Sequence, residues 1–373
     1  MESEPYKIIL VGGGHAHLQL LEQAGKFRKA GGELMLVDPG DFCYSGMATG
    51  LLSGCYTPED DRVDLGDFCQ RKEVHYYRER MEELDSEKRI LITDTGRRLP
   101  YDFLSLNIGS SLKADTFRDP EGLAWPLKPI SRIPELKQHL ETLFRRDSLC
   151  RVAVIGGGPT GCEVAANIQR LAQGMKADSR VTLLVREKQL LPEAPPGAGQ
   201  ILEKLFKERG IEICPQSPVV SLSRSDEGIE LEVQGKPARP VEAVVSAVGL
   251  VAQPLQENLG SGSGGLAVDG NLNSLAHPSI FGAGDCIDFQ PQPLPKVGVF
   301  GVRQAPILQH NLLACLKGES LRSFRPQKKY LTILNLGDGT ALALRGNCFY
   351  RGRLAFLLKN FIDRRFMKRW KST

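Results

Sequence analysis

Lys7-Ile-Ile-Leu-Val-Gly12-Gly-Gly14-His-Ala-His17 and Arg151-Val-Ala-Val-Ile-Gly156-Gly-Gly158-Pro-Thr-Gly161 share one pattern, about 144 residues apart. Each sets a short apolar strand before a glycine turn. After the first turn come an amphipathic stretch, Leu18–Lys29, and a second apolar strand, Leu34–Val37, ending at Asp38. After the second come a helix-patterned Glu163–Leu171 and the strand Val181–Val185. Strand, glycine turn, helix, strand is the βαβ unit that seats a dinucleotide pyrophosphate on a helix N-terminus, where free amides and the helix dipole attract anions. The first glycine permits the tight turn, the second lets backbone approach the pyrophosphate, and the third brings helix against strand. Two such units in one chain imply two nucleotides.

The copies depart from the pattern in different places. The first has an acid suited to a ribose diol, Asp38, but carries His17 where the third glycine would stand. His17 is expected either to pack against the strand or to donate towards phosphate. His15 and His17, two residues apart at a helix start, point in different directions and make a poor metal set. The second copy keeps all three glycines but ends its second strand in Val185 and Arg186, with no acid. An acid there suits NAD and an arginine the 2′-phosphate of NADP. Glu187 follows directly, so NADP(H) and NAD(H) both stay open, with Arg186 favouring NADP(H). Three later strands also end in glycine: Tyr101–Gly109, Val244–Gly249, and His277-Pro-Ser-Ile-Phe281-Gly-Ala-Gly284-Asp285, the last placing a carboxylate at a strand tip.

The chain has 373 residues, 41% hydrophobic and 25% charged, which suits a globular protein of two or three domains. No apolar run approaches the roughly 18–20 residues of a membrane span. The acidic start, Met1-Glu-Ser-Glu-Pro, is not expected to be a signal peptide. Nine cysteines without a CxxC pair favour reduced thiols and a cytoplasmic location. From Arg345 to Ser372 nine Lys and Arg face the single acid Asp363, a local excess of +8, so a chain of net charge +4 carries −4 on the rest. A basic footprint confined to a tail argues against nucleic acid as a partner.

On Gly12–Leu18, Tyr44-Ser-Gly-Met47, Tyr101–Ser110, Trp125–Ile130, Gly156–Glu163, Ile280–Cys286, Lys296–Gln304 and Asn360–Met367, the sequence resembles flavoproteins with two dinucleotide-binding domains. Among these it is most similar to the type II NADH dehydrogenases, nearest the branch found alone or fused ahead of selenophosphate synthetase. The resemblance implies an α/β fold of two Rossmann-like domains. An FAD domain over 1–112 and 265–320 would be split by an NAD(P)H domain over 125–255, with a hairpin and basic amphipathic helix in 321–373. It implies FAD on Gly12, Gly14, His15, Ala16, His17, Asp38, Ser45, Met81, Gly109, Gly284, Asp285 and Gln304, with Asp38 at the adenosine ribose and Asp285 at the ribityl chain. It implies NAD(P)H on Gly156, Gly158, Thr160, Gly161, Arg186 and Gly249. A helix of about Arg303–Leu316 would aim its N-terminus at the flavin.

The implied activity is hydride transfer from NAD(P)H to flavin and onward to an acceptor, with a quinone expected. The flavin carries the chemistry, so no catalytic acid, nucleophile or metal is assigned. Cys43 and Cys55 lie too far apart for the CxxxxC pair of disulfide reductases, and Cys286 has no evident partner. The alternatives are a flavin-binding partner or sensor with little turnover, and a sulfide:quinone-type oxidoreductase.

In the tail, Lys329–Leu336 and Thr340–Leu344 read as a β-hairpin around Gly-Asp-Gly. Leu354, Leu357, Leu358, Phe361, Ile362, Phe366 and Trp370 then recur at helical spacing with Arg and Lys opposite. Such a helix suits an anionic membrane surface on the inner face of the cell membrane, or packing on the body or across a homodimer. On the membrane reading, the tail should be removable without unfolding the body.

Overall fold

The computed structural model describes residues 4–113, 116–146, 148–226, 228–255 and 264–371. Met1–Ser3 and the last two tail residues, Ser372 and Thr373, lie outside these. The first unit runs β1 (Tyr6–Val11), α1 (His15–Glu22), β2 (Gly32–Val37), α2 (Ser45–Ser53), β3 (His75–Tyr77) and β4 (Phe103–Leu106). The second runs β5 (Ala124–Pro126), α3 (Ile133–Phe144), β6 (Cys150–Ile155), α4 (Pro159–Gly174), β7 (Ser179–Leu184), β8 (Glu212–Cys214) and β9 (Ala243–Ser246). Then follow β10 (Ile280–Gly282), α5 (Gly298–Lys317), β11 (Leu331–Asn335), β12 (Ala341–Arg345), β13 (Cys348–Gly352) and α6 (Arg353–Lys371).

Two parallel five-stranded sheets result, ordered β10-β4-β1-β2-β3 and β5-β9-β6-β7-β8. Their strands are apolar on both faces because both faces are covered. In the second sheet part of the cover is the antiparallel strands over 219–241, whose Val219, Leu222, Leu231 and Val233 pack with Ala153, Ile155, Leu184 and Val244. Ile8–Leu10 and Val152–Val154 are almost wholly buried. β10 joins the first sheet from beyond the second unit, pairing with β4. The repeat runs deeper than the glycine turns. Each unit inserts a three-stranded antiparallel meander before its last strand, over 81–100 in one and 219–241 in the other.

Four local expectations change. The amphipathic stretch Leu18–Lys29 is two helices, broken at Gln23, the second spanning Ala24–Lys29. The helix expected over Glu163–Leu171 begins at the turn itself, with Pro159 in its first turn. The helix expected from Arg303 starts at Gly298 and contains Pro306. That proline has no N–H for the Val302 carbonyl, which instead accepts from Gln19 Nε2 at 3.1 Å, tying α5 to α1. The tail hairpin gains a third strand, β13, paired to β12.

The tail helix α6 also departs from expectation. It packs on its own body through Ala355, Lys359, Asp363, Met367 and Trp370, at spacings of four, four, four and three. Leu354, Leu357, Leu358, Phe361 and Ile362 nevertheless remain exposed, while Phe366 and Trp370 turn inward. The inner face thus matches the expected packing on the body, and the outer face is left exposed. Because Trp370 is fully buried, the tail is part of the body and not a removable appendage. No described helix is long and apolar enough to cross a membrane.

Candidate active site: two glycine turns and a buried charge cluster

The two turns are built alike and finished differently. Gly12 has φ +87°, and a Cβ there would lie 2.6 Å from the Asn107 carbonyl oxygen. Gly156, at φ +124°, would meet the Ala247 carbonyl oxygen at 2.5 Å. In each unit the turn thus presses on the chain just beyond β4 or β9. Gly161 closes α4 onto this turn, since any Cβ there would overlap the Gly156 carbonyl oxygen.

His17, in the corresponding place, solves the crowding by hydrogen bonding. Its Nδ1 donates to the Gly12 carbonyl (2.6 Å), and its Nε2 accepts from the Ser105 hydroxyl (2.8 Å). Burial holds its pKa down to about 4, so the ring is neutral, as that pattern requires. Both ring nitrogens are spent, which corrects the expectation that His17 donates towards phosphate. The backbone amides of Ala16 and His17 are also engaged, both by Asn107 Oδ1 at 3.0 and 3.4 Å. Asn107 Nδ2 reaches the Ala283 carbonyl (2.6 Å), locking the turn to the Gly-Asp strand. In this turn His15 is the helix-start residue whose amide has no hydrogen bond among the described residues. The second turn is open: Pro159 has no N–H, and the amides of Thr160 and Gly161 have no partner among the described residues. Nothing lies within 4 Å of a Cβ built on Gly158 or Gly249, nor on Gly109 in the first unit.

Asp38 accepts from the Gly13 amide (2.7 Å) through Oδ2 and from Gly40 (2.8 Å) through Oδ1. Burial raises its pKa, and the two amides pull it back. Each oxygen keeps a lone pair for a ribose hydroxyl. Asp285 accepts from the Ser110 hydroxyl (2.9 Å). Gly284, at φ +76°, donates to Gln304 Oε1 (2.6 Å), leaving Gln304 Nε2 buried and unpartnered among the described residues. The start of α5 reaches the first turn, where a Cβ on Gly298 would lie 3.4 Å from the His15 ring and 3.6 Å from Ser45 Oγ. Met81 is half-buried at the start of the first meander. The open strand ends, the separate carboxylates of Asp38 and Asp285 and the unpartnered amide of Gln304 fit a long polyol-linked dinucleotide.

The second unit differs where the ribose would sit. β1–β2 and β6–β7 pair in the same register, so Val185 occupies the place of Asp38. A Cβ on Gly157 would strike the Val185 side chain, whereas Gly13 faces Leu65 and Asp38. Arg186 projects into solvent, with Nε and Nη2 on Glu187 Oε1 at 3.1 and 3.0 Å.

A cluster the sequence did not reveal lies where α6 crosses α2 and α4. Lys359 Nζ donates to Asp363 Oδ2 (2.8 Å) and to the Gly46 carbonyl (2.5 Å). The Tyr44 hydroxyl donates to Asp363 Oδ1 (3.1 Å), and its ring stacks on Phe366 at 4.6 Å. His15 and Phe42 complete an aromatic wall with these rings. Glu163 accepts from the Asn335 amide (2.5 Å), and burial lifts its pKa to about 7 against the pull of Lys359. Burial likewise lifts Asp61 to about 7. The signal for the Lys359–Asp363 pair was its i, i+4 spacing, but nothing local said it was buried. The thiols point away from redox use, because burial pushes both Cys43 and Cys286 up to about 11.

The family model of pyridine nucleotide-disulphide oxidoreductases matches residues 6–305. The chain belongs to this family. Like the rest of it, this oxidoreductase is an FAD-dependent enzyme using NAD(P)H. It is 25% identical over 374 residues to an alternative NAD(P)H-ubiquinone oxidoreductase C1 of Arabidopsis thaliana, covering 89% of this chain and 70% of that protein. Its fold matches NDH2 of Plasmodium falciparum, solved with NADH, at TM-score 0.82 and 15% identity over 98% and 97% of the two chains. It also matches the sulfide:quinone oxidoreductase of Aquifex aeolicus, at TM-score 0.80 and 16% identity over 98% and 91%.

Proposed function

We propose that this enzyme is an NAD(P)H:quinone oxidoreductase working at a membrane surface, akin to the branch found alone or fused to selenophosphate synthetase. FAD, when bound, supplies the two-electron relay between donor and acceptor. The chain's own residues position and shield it. Gly158, Thr160 and Gly161 cradle the donor's pyrophosphate; His15, Asp38 and Asp285 hold FAD; the Tyr44–Phe366 wall keeps water from the first turn.

The observation that carries the acceptor reading is the two-sided helix α6. Its inner face supplies Phe366 to the aromatic wall, while Leu357 and Phe361, 59% and 61% exposed, face outward beside Arg353 and Arg365. An apolar stripe flanked by arginines suits an anionic lipid surface. It would bring that surface next to the flavin side of the protein, where a lipid-soluble acceptor is at hand. The relative named for ubiquinone reduction supports the same acceptor class. A sulfide donor would need reactive thiols, and the burial of Cys43 and Cys286 argues against it.

The test is turnover with a long-chain quinone in anionic vesicles, set against a soluble dye. The reading expects quinone turnover to fall when salt strips the protein from the vesicles, with dye turnover kept. Quinone turnover that is absent, or indifferent to vesicle binding, would refute it.

A further inference from the structure

The chain passes between the two units through two short strands, Ser110–Leu112 and Leu250–Ala252, paired antiparallel with each other. A two-stranded link is a natural hinge. The units have a second tie, and the tail supplies it. Asn167, fully buried midway along α4, spends its whole side chain on three elements. Its Nδ2 donates to the Glu163 carbonyl within α4 (2.7 Å) and to the Asn335 carbonyl at the end of β11 (3.0 Å). Its Oδ1 accepts from the Ser53 hydroxyl at the end of α2 (2.5 Å). Asn335 also donates its own N–H to Glu163 and accepts the Gly337 N–H at Oδ1 (2.9 Å).

Gly337 lies in the turn between β11 and β12, directly on α4. At φ +76°, a Cβ there would stand 3.1 Å from Arg170 Cβ, 3.2 Å from the Ala166 carbonyl oxygen and 3.3 Å from Asn167 Cα. Arg209 holds the same turn, its Nη1 donating to the Leu336 carbonyl (2.7 Å) and its guanidinium pairing with Asp338. The contacts on α4 fall at 163, 166, 167 and 170, which is one stripe of a helix. That stripe begins a turn beyond the Thr160 and Gly161 amides. Apolar contacts alone would let α4 slide, whereas buried hydrogen bonds at fixed positions set its register and angle.

We propose that Asn167 and Gly337 are positioning residues for hydride transfer: they hold α4 at the angle that brings the donor's nicotinamide onto the flavin, and leave donor affinity to the glycine turn. In that step a hydride with its two electrons leaves the reduced nicotinamide, which becomes NAD(P)+, and reduces FAD. This rests on the nicotinamide-donor reading and deepens it.

The test takes the FAD-loaded full chain carrying Gly337→Ala or Asn167→Ala and mixes it anaerobically with increasing NADPH or NADH, whichever reduces wild type faster. The new methyl of Gly337→Ala must gain about 0.4 Å from α4 to reach ordinary carbon contact. At about a hundredfold per ångström of misplacement, the limiting rate of flavin reduction falls roughly fivefold. Asn167→Ala cuts the ties to α2 and to the hairpin together and slows that rate at least as much. In both variants the long-wavelength absorbance of nicotinamide stacked on flavin weakens, while the affinity for the oxidised nucleotide, read by calorimetry, stays at the wild-type value. Ser53→Ala, which trims a single hydroxyl from the same network, decides if the other two lose FAD. A lowered melting temperature with limiting rate and absorbance unchanged is packing alone and overturns the proposal. Weakened nucleotide affinity at an unchanged limiting rate overturns it too. Wild-type flavin that neither nucleotide reduces overturns the donor reading itself.

Discussion

Gly161→Ala tests whether the second turn works by geometry. The new methyl would overlap the Gly156 carbonyl oxygen and come 2.9 Å from its carbon. Carbon atoms rest about 3.5–4.0 Å apart, so the start of α4 must retreat by about 1 Å. The obstacle is backbone, so no side chain can rotate out of the way, and Gly156 is itself pinned against the Ala247 carbonyl. The amides of Thr160 and Gly161 retreat with the helix. Displacing a binding group by ~1 Å costs on the order of a hundredfold in rate, and the overpacking costs about 1–3 kcal/mol of stability. Rapid mixing with NADPH should show flavin reduction slowed to about that extent. FAD content, governed by the first turn, should match wild type, and the melting temperature should fall. A variant reduced at the wild-type rate with the wild-type KM would refute the cradle.

Asp285→Ala removes a carboxylate at the expected ribityl position and should weaken FAD binding by about 1.5–3 kcal/mol, read from the FAD retained on dilution. Lys359→Met strands Asp363, whose side chain is 6% exposed, and should cost about 3–5 kcal/mol in denaturant unfolding, whereas Lys359→Met with Asp363→Leu should recover most of it. Glu163 titrates near 7 in the fold against 4.5 unfolded, so between those values the folded state holds a proton that the unfolded state has lost. Stability should therefore fall as pH rises from 4.5 to 7, and Glu163→Gln should flatten that slope in melts across the range. Leu357→Ser with Phe361→Ser should abolish flotation with anionic vesicles and leave the melting temperature unchanged, since both side chains are exposed.

What the sequence made legible was local. A short apolar strand, a glycine turn and a helix are written in consecutive residues, so both βαβ units could be read directly, including the missing acid at Val185. The rest depends on partners far apart in the chain. For His17, packing against the strand and donation towards phosphate both stayed open because Ser105, which takes its second nitrogen, lies 88 positions away. Asn107 was one polar residue in a strand-end segment, and its clamp on Ala16 and Ala283 needed three chain segments brought together. Lys359 read as part of a solvated basic face. It is buried because Gly46, 313 positions earlier, offers its carbonyl, and because Asp363, one helical turn on, cancels its charge. The exposed stripe of α6 was legible as helical periodicity. That Phe366 and Trp370 leave the stripe was not, since Phe366 joins the wall of His15, Phe42 and Tyr44 and Trp370 packs on Phe68, all far earlier in the chain.

The central claim is that a reduced nicotinamide nucleotide delivers electrons to FAD in this chain. It is tested most directly by mixing the FAD-loaded protein anaerobically with excess NADPH or NADH and following the flavin's visible absorbance. The account predicts prompt bleaching, faster with NADPH at limiting nucleotide, and return of the colour when a quinone in anionic vesicles is added. Flavin that stays oxidised in an excess of both nucleotides would contradict it.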